Sequence, residues 1–245
     1  QNEIDPIFDE FGFEYSTAGR ISDQSELHRM NEICRIKGRA GVGLLSALPV
    51  VDKRYGLPGL EDDVDSGRWI EADMQTPQGY VITVVCVYVH AGNTDDPEKM
   101  KQKYRFLDTM LIRMEQLRDE AAHGGKQAVL CGDFNIAHTP LDIKNAKANE
   151  THAGFLPEER AYVDKWLGEL EFVDVMRNLA GDIQGPYTWW SQRGRAFDNN
   201  VGWRIDYQFA TPELAETACG FVIDKAPTYD LRWSDHAPLS IMYDI

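Results

Sequence analysis

The residues best equipped for chemistry stand at the end of one short run, Val129-Leu130-Cys131-Gly132-Asp133-Phe134-Asn135. Ala128 to Cys131 reads as a buried strand, and Gly132 permits a tight exit from it. Side chains alternate along extended backbone, so Asp133 and Asn135 share one side while Phe134 turns toward the core. A carboxylate beside a carboxamide at a strand's carboxyl end suits a hard divalent cation or a phosphate oxygen. The same residue types also make an ordinary Asx-turn. These four residues alone do not separate the two readings.

Three other strand ends carry reactive groups: Tyr88, Asp206 and the pair Asp235-His236. Three acids, an amide, a histidine and a tyrosine fit metal-assisted phosphodiester hydrolysis. A cation would polarise the phosphoryl group, His236 would bind phosphate or move a proton, and a carboxylate would orient water. Serine-hydrolase chemistry is disfavoured because no GxSxG elbow is present. A P-loop is missing, and Gly41 and Gly43 lack the third glycine of a dinucleotide fingerprint. Each residue taken singly has a plainer explanation: a turn for Asp235, a satisfied histidine for His236, core packing for Tyr88, Trp189 and Trp190.

The elements that must position these groups follow from periodicity. Residues 1 to 19 suggest a short helix leading into a turn and a strand around Phe13-Glu14-Tyr15, and the polar stretch from Arg20 to Lys37 reads as an insertion or loop. Arg39 to Ser46 enters a strand, and Glu61 to Asp65 reads as a solvated loop. Val81 to Val89 is a strand buried on both faces. A helix follows, with Asp95 or Asp96 as cap, Pro97 at its first turn, an apolar stripe from Met100 to Leu117, and Gly124-Gly125 as stop. The stripe is given no role beyond packing. Thr139 to Thr151 is a polar loop, and Gly154 to Arg160 opens a second amphipathic helix. An aromatic and basic loop, Gly185 to Trp203, precedes the final strands at Arg204 to Phe209 and Leu239 to Tyr243. Without repeats or a linker, one domain over 1–245 is expected.

A chain of 245 residues with 43% hydrophobic and 27% charged residues can bury a substantial core. No apolar run approaches the roughly 20 residues of a membrane span, and the polar start has no signal-peptide pattern. Cys34, Cys86, Cys131 and Cys219 form no CxxC pair, which suits reduced, buried thiols in the cytoplasm. A net charge of −15 argues against a protein that coats nucleic acid non-specifically. It leaves room for one locally basic groove.

Four blocks closely resemble the exonuclease III type of apurinic/apyrimidinic endonuclease: Gly132 to Ile136, Gly154 to Arg160, Tyr187 to Trp190, and Asn199 to Tyr207. Ser234-Asp235-His236-Ala237-Pro238 matches that family's closing motif, and the wider group is the endonuclease/exonuclease/phosphatase superfamily. The resemblance implies an α/β sandwich of four layers, two mixed β-sheets packed face to face with helices outside. It implies a Mg²⁺-dependent (or Mn²⁺-dependent) monomer that cuts double-stranded DNA 5′ to abasic sites and trims blocked 3′ ends.

By the same resemblance, Asp133 would activate the attacking water or protonate the leaving oxygen, and Asn135 would hold it. Asp133, Asn135, Asp235 and His236 would touch the metal. His236 would bond the scissile phosphate, Asp206 would support the histidine or the metal, and Tyr88 would bond phosphate. Trp189, Trp203 and Ile205 would line a pocket for the baseless sugar, with Arg39 and Asn149 contacting DNA. Trp190, Phe197 and Tyr207 are expected to be structural.

Two features depart from the family pattern. Its Tyr-Val-Pro-x-Gly turn is Tyr88-Val89-His90-Ala91-Gly92 here. Its opening strand-helix-strand, with an Asn and a metal-binding Glu, has no match, so the chain resembles a member lacking about 30 to 40 residues. The rival expectations are a superfamily phosphatase acting on a small phosphoester and a non-catalytic binder of abasic DNA.

Overall fold

The computed structural model describes residues 28–32 and 41–245. The expectations for residues 1–19, Cys34 and Arg39 lie outside them. In chain order the strands are β1 (His28–Glu32), β2 (Val42–Ser46), β3 (Val50–Tyr55), β4 (Trp69–Gln75), β5 (Val81–Tyr88), β6 (Gln127–Asp133), β7 (Val173–Asp174), β8 (Asp206–Ala210), β9 (Ala218–Ile223) and β10 (Leu239–Tyr243). The helices are α1 (Pro97–Ala122), α2 (Ala146–Asn149), α3 (Pro157–Gly168), α4 (Val175–Ala180) and α5 (Pro212–Glu216).

Six strands make one mixed sheet in the order β3-β4-β5-β6-β8-β7. β5 and β6 run parallel, with α1 as the crossover between them, and the other pairs are antiparallel. On one face α1 and α3 press Phe106, Leu107, Met110, Met114, Val163 and Trp166 against Val85, Val87, Leu130, Phe134 and Phe209. On the other face lie two two-stranded ribbons, β1-β2 and β9-β10. Val42 and Leu44 of one ribbon meet Ile70, Ala72 and Met74. Ile241 and Tyr243 of the other meet Val129 and Ala210. The expected α/β sandwich is present, its second layer made of these ribbons among the described residues.

α1 begins as its sequence dictates: the Asp96 carboxylate accepts from the Lys99 amide, and Pro97 occupies the first turn. Trp190, Phe197 and Tyr207 are core residues, as expected. β4 has no sequence signal because its centre carries Glu71 and Asp73, both buried. Glu71 takes bonds from Arg54 and Arg113, and Asp73 from Arg54, Thr83 and Lys126. Buried carboxylates persist when paired this fully, and such pairs are invisible to a hydrophobicity pattern.

The stretch from Arg20 to Lys37 is not all loop. His28–Glu32 is a strand, paired antiparallel with Val42–Ser46. Backbone bonds to β2 set that strand, with no apolar alternation to announce it. Glu61–Ser66 is a 3-10 turn rather than open loop. The 139–151 segment contains a capped turn at Pro140–Asp142 and the short α2. Cys86 and Cys131 are free and half-buried, and burial raises their thiol pKa values to about 11 and about 12. Cys219 is exposed, against the expectation of a buried thiol.

Candidate active site

Sheet register creates the site. Tyr88 pairs with Asp133 across β5 and β6, and Asp133 pairs with Asp206 across β6 and β8. Three strand ends therefore set these side chains in one row. Gly132 lets the strands close up: its φ is 148°, and a Cβ there would lie 1.9 Å from the Val87 carbonyl oxygen. No other residue fits.

Beyond Gly132 the chain turns sharply. Asn135 adopts φ 51°, a left-handed conformation that asparagine tolerates. Its amide donates to Asp133 Oδ1 at 2.8 Å, and its Nδ2 donates to Asp133 Oδ2 at 3.0 Å and to the Val89 carbonyl at 2.9 Å. The Asx-turn and the functional pair are thus the same structure. Lys103, fully buried on α1, holds this turn by donating to the carbonyls of Asn135 (2.9 Å) and Ala91 (3.2 Å). Its charge is met by Glu159 at 2.5 Å. Glu159 in turn accepts from the Gly154 and Leu156 amides.

His236 arrives from the loop before β10. Its Nδ1 donates to Asp206 Oδ2 at 2.9 Å, and its Nε2 stands 3.9 Å from Asp133 Oδ2. The loop is pinned by backbone bonds from Trp190 to the Asp235 carbonyl and from Ala237 to the Thr188 carbonyl. The Thr188 hydroxyl accepts from the Asp206 amide. Burial and the neighbouring Asp206 charge push the Asp133 pKa up to about 7, against the opposing pull of His236. Burial would lower the His236 pKa, but the bond to Asp206 and the surrounding carboxylates prevail and raise it to about 9. At neutral pH the imidazolium carries both N–H groups, so Nε2 is a charged donor.

These groups share a cleft of about 730 Å³ that Arg68, Tyr88, His90, Lys99 and Gln102 also line. The Arg68 guanidinium lies 4.7 Å from the Tyr88 ring centroid and donates to the Tyr88 carbonyl. Arg68, Lys99, Lys103 and Glu159 were not legible as site residues in the sequence. The first three are isolated basic residues without a motif, and Glu159 lies within a recognised block whose role was unspecified.

Asp235, the remaining predicted ligand, accepts from the Trp189 indole at 3.0 Å. Burial would raise its pKa, but this bond and others hold it below the usual carboxylate value. Trp189 and Trp203 meet edge to face at 5.9 Å, in a cluster with Ile143, Phe155 and Ile205. The structure thus brings Trp189, Trp203 and Ile205 together as a wall, and none of them lines the cleft itself. Asn149 turns its amide to the Asn145 carbonyl of its own helix turn and is also not among the cleft residues.

The donor set does not complete a cation site. Among the described residues no group of three or more His, Cys, Asp or Glu side chains can hold a metal ion. Asp133 is occupied by Asn135, and Asp235 by Trp189. Mg²⁺ keeps several waters and is held by one or two carboxylates together with substrate phosphates, so Asp133 and Asp235 would supply part of a shell that the described residues do not close.

A mixed sheet whose strand ends gather Asp133, Asp206 and a charged histidine on one cleft is the arrangement of a phosphoester hydrolase. Over residues 8–236 the chain matches the Endonuclease/Exonuclease/phosphatase family, and it belongs to that family, with the exodeoxyribonucleases and AP endonucleases. It is 32% identical over 209 residues to an exodeoxyribonuclease of Bacillus subtilis, spanning 85% of this chain and 76% of that protein. It is 32% identical over 205 residues to the DNA repair nuclease APEX1 of Danio rerio, spanning 84% of this chain but only 61% of that longer protein. The structure of an AP endonuclease from Archaeoglobus fulgidus superposes with a TM-score of 0.76 at 31% identity, covering 89% of this chain and 80% of the other.

Proposed function

We propose that this chain is a DNA-repair phosphodiesterase that cuts the backbone of double-stranded DNA 5′ to abasic sites, with trimming of 3′ ends in the same cleft. The observation that carries the reading is His236 set between Asp206 and Asp133 at the end of the large sheet. Asp206 fixes the ring, and Nε2 donates to a non-bridging oxygen of the scissile phosphate. Tyr88, exposed at the cleft wall, offers a second donor. Asp133, poised near neutrality by burial, moves the proton of the attacking water or of the leaving oxygen. Arg68 and Lys99 set two cations in this cleft opposite Asp133 and Asp206, within a protein of net charge −15. The requirement for Mg²⁺ or Mn²⁺ is supported by resemblance to the family.

A labelled duplex bearing one abasic-site analogue tests the reading. Cleavage should stop in excess EDTA, and Asp133→Asn should lower kcat by about 10²-fold or more, the scale of lost proton transfer. Full activity in EDTA, or an unimpaired variant, would sink the assignment. Binding without turnover would identify a damage-binding protein instead, and turnover of small phosphoesters alone would identify a phosphatase.

A further inference from the structure

Trp233 is 87% exposed, more than any other large hydrophobic side chain among the described residues, and its neighbours Leu231 and Tyr229 are 62% and 42% exposed. Tryptophan is rarely so open to water. The loop that carries it is nevertheless well anchored. A 3-10 turn over Tyr229–Leu231 closes with a bond from the Leu231 amide to the Thr228 carbonyl. Arg232 lies 4.0 Å from the Tyr229 ring centroid and donates to the Trp190 carbonyl at 3.4 Å. Lys225 sits 4.7 Å from the Trp190 ring and 4.5 Å from Phe197. The result is a shelf of rings and cations from which Trp233 projects.

The shelf adjoins the catalytic groups. Trp233 directly precedes Ser234-Asp235-His236, and the His236 amide donates to the Ser234 hydroxyl at 3.1 Å. A cavity of about 660 Å³ reaches from Trp233 and Leu231 to Asp206 and His236. Those last two residues also line the cleft described above, so the loop and the cleft meet at the catalytic pair.

We propose that Trp233 is a stacking platform for a nucleobase of the bound strand next to the scissile phosphate. This rests on the nucleic-acid reading of the site. A flat indole pairs with any base, because every base has a π-face, and nearby cations attract the backbone. Asp224 and Asp230 offset Lys225 and Arg232 in sequence, so local charge does not choose the occupant. The cavity beside Trp233 continues to Asp206 and His236 of the cleft, which favours the nucleic-acid strand itself over a separate apolar protein surface.

Fluorescence anisotropy in EDTA, with a labelled abasic duplex and a labelled single strand, tests this. Trp233→Ala should weaken both by about tenfold, the scale of one lost base stack, while Trp233→Phe should retain most of the affinity. The ring is exposed, so its removal leaves the core intact, and the kinetic loss should fall on KM more than on kcat. Tryptophan emission should be quenched by DNA in the wild type, with part of that quench missing in the variant. Binding by Trp233→Ala within about twofold of wild type overturns the platform, since one stack is worth more than that. A homodimer that Trp233→Ala dissolves also overturns it, because the loop is then a contact between copies. A wild-type chain that binds no DNA at all overturns the nucleic-acid reading as well, so the two failures are distinct.

Discussion

The buried ammonium of Lys103 donates to the main-chain carbonyl of Asn135 at 2.9 Å. A helix in the outer layer thereby fixes the turn that aims Asp133. Its partner Glu159 is fully buried as well, so Lys103→Met leaves a carboxylate whose charge is met only by the Gly154 and Leu156 amides. Breaking a buried pair in this way costs about 3–5 kcal/mol. Urea unfolding should show that loss, and cleavage measured where the variant is still folded should fall with it. A Lys103→Met protein of wild-type stability would remove the pair from its structural role.

Gly132→Ala tests the register. Its methyl would lie 1.9 Å from the Val87 carbonyl oxygen, at a φ of 148°. The strands must separate, and the expected outcome is a protein that folds poorly or loses about 3 kcal/mol or more. Gly168→Ala is the matched control, since no atom lies within 4 Å of a Cβ there and the residue is helical. It should stabilise by about 0.5–1 kcal/mol. Equal thermal shifts for the two variants would refute the argument.

Trp203 meets Trp189 edge to face and lies against Gly154, whose Cβ would stand 3.0 Å from its ring. If this wall admits a bare sugar and refuses a nucleotide, Trp203→Ala should erode discrimination between abasic and intact DNA. Extruding a nucleotide costs a few kcal/mol, and least where no base is stacked. Cleavage rates on the two substrates decide: a uniform loss on both denies the wall any role in selection.

Asp142 predicts the acid limit of stability. Burial would raise its pKa, but Arg204 and Arg177, each at 2.6 Å, bring it down from 3.8 to about 2. A depressed folded-state value means stabilisation that is complete above the unfolded pKa and lost as pH falls toward the folded one. The loss should fall between about pH 4 and pH 2 and amount to about 2 kcal/mol, at 1.36 kcal/mol per unit. Denaturation midpoints across that range would show it. Asp142→Asn should be less stable at neutral pH and should lose this part of the pH dependence; an unchanged slope would point to other carboxylates.

Much of the site was legible in the chain itself. Local rules placed Gly132, Asp133, Asn135, Asp206 and His236 at strand ends, because alternation and turn chemistry act over a few residues, and the resemblance of their blocks to one family marked them as site residues. The same local rules gave α1, with its Asp96 cap and Pro97, and the two strands it connects, while their parallel pairing appears only in the structure. What tertiary structure alone decided is which distant residues meet. The 3.9 Å approach of His236 to Asp133, the grip of Lys103 on Asn135, and the burial of Glu71 and Asp73 in β4 all depend on pairings across the fold. A charged residue in sequence carries no mark of the partner that will neutralise it. Strand β1, Arg68 and Lys99 were missed for that reason, since backbone pairing and cleft geometry place them and periodicity does not.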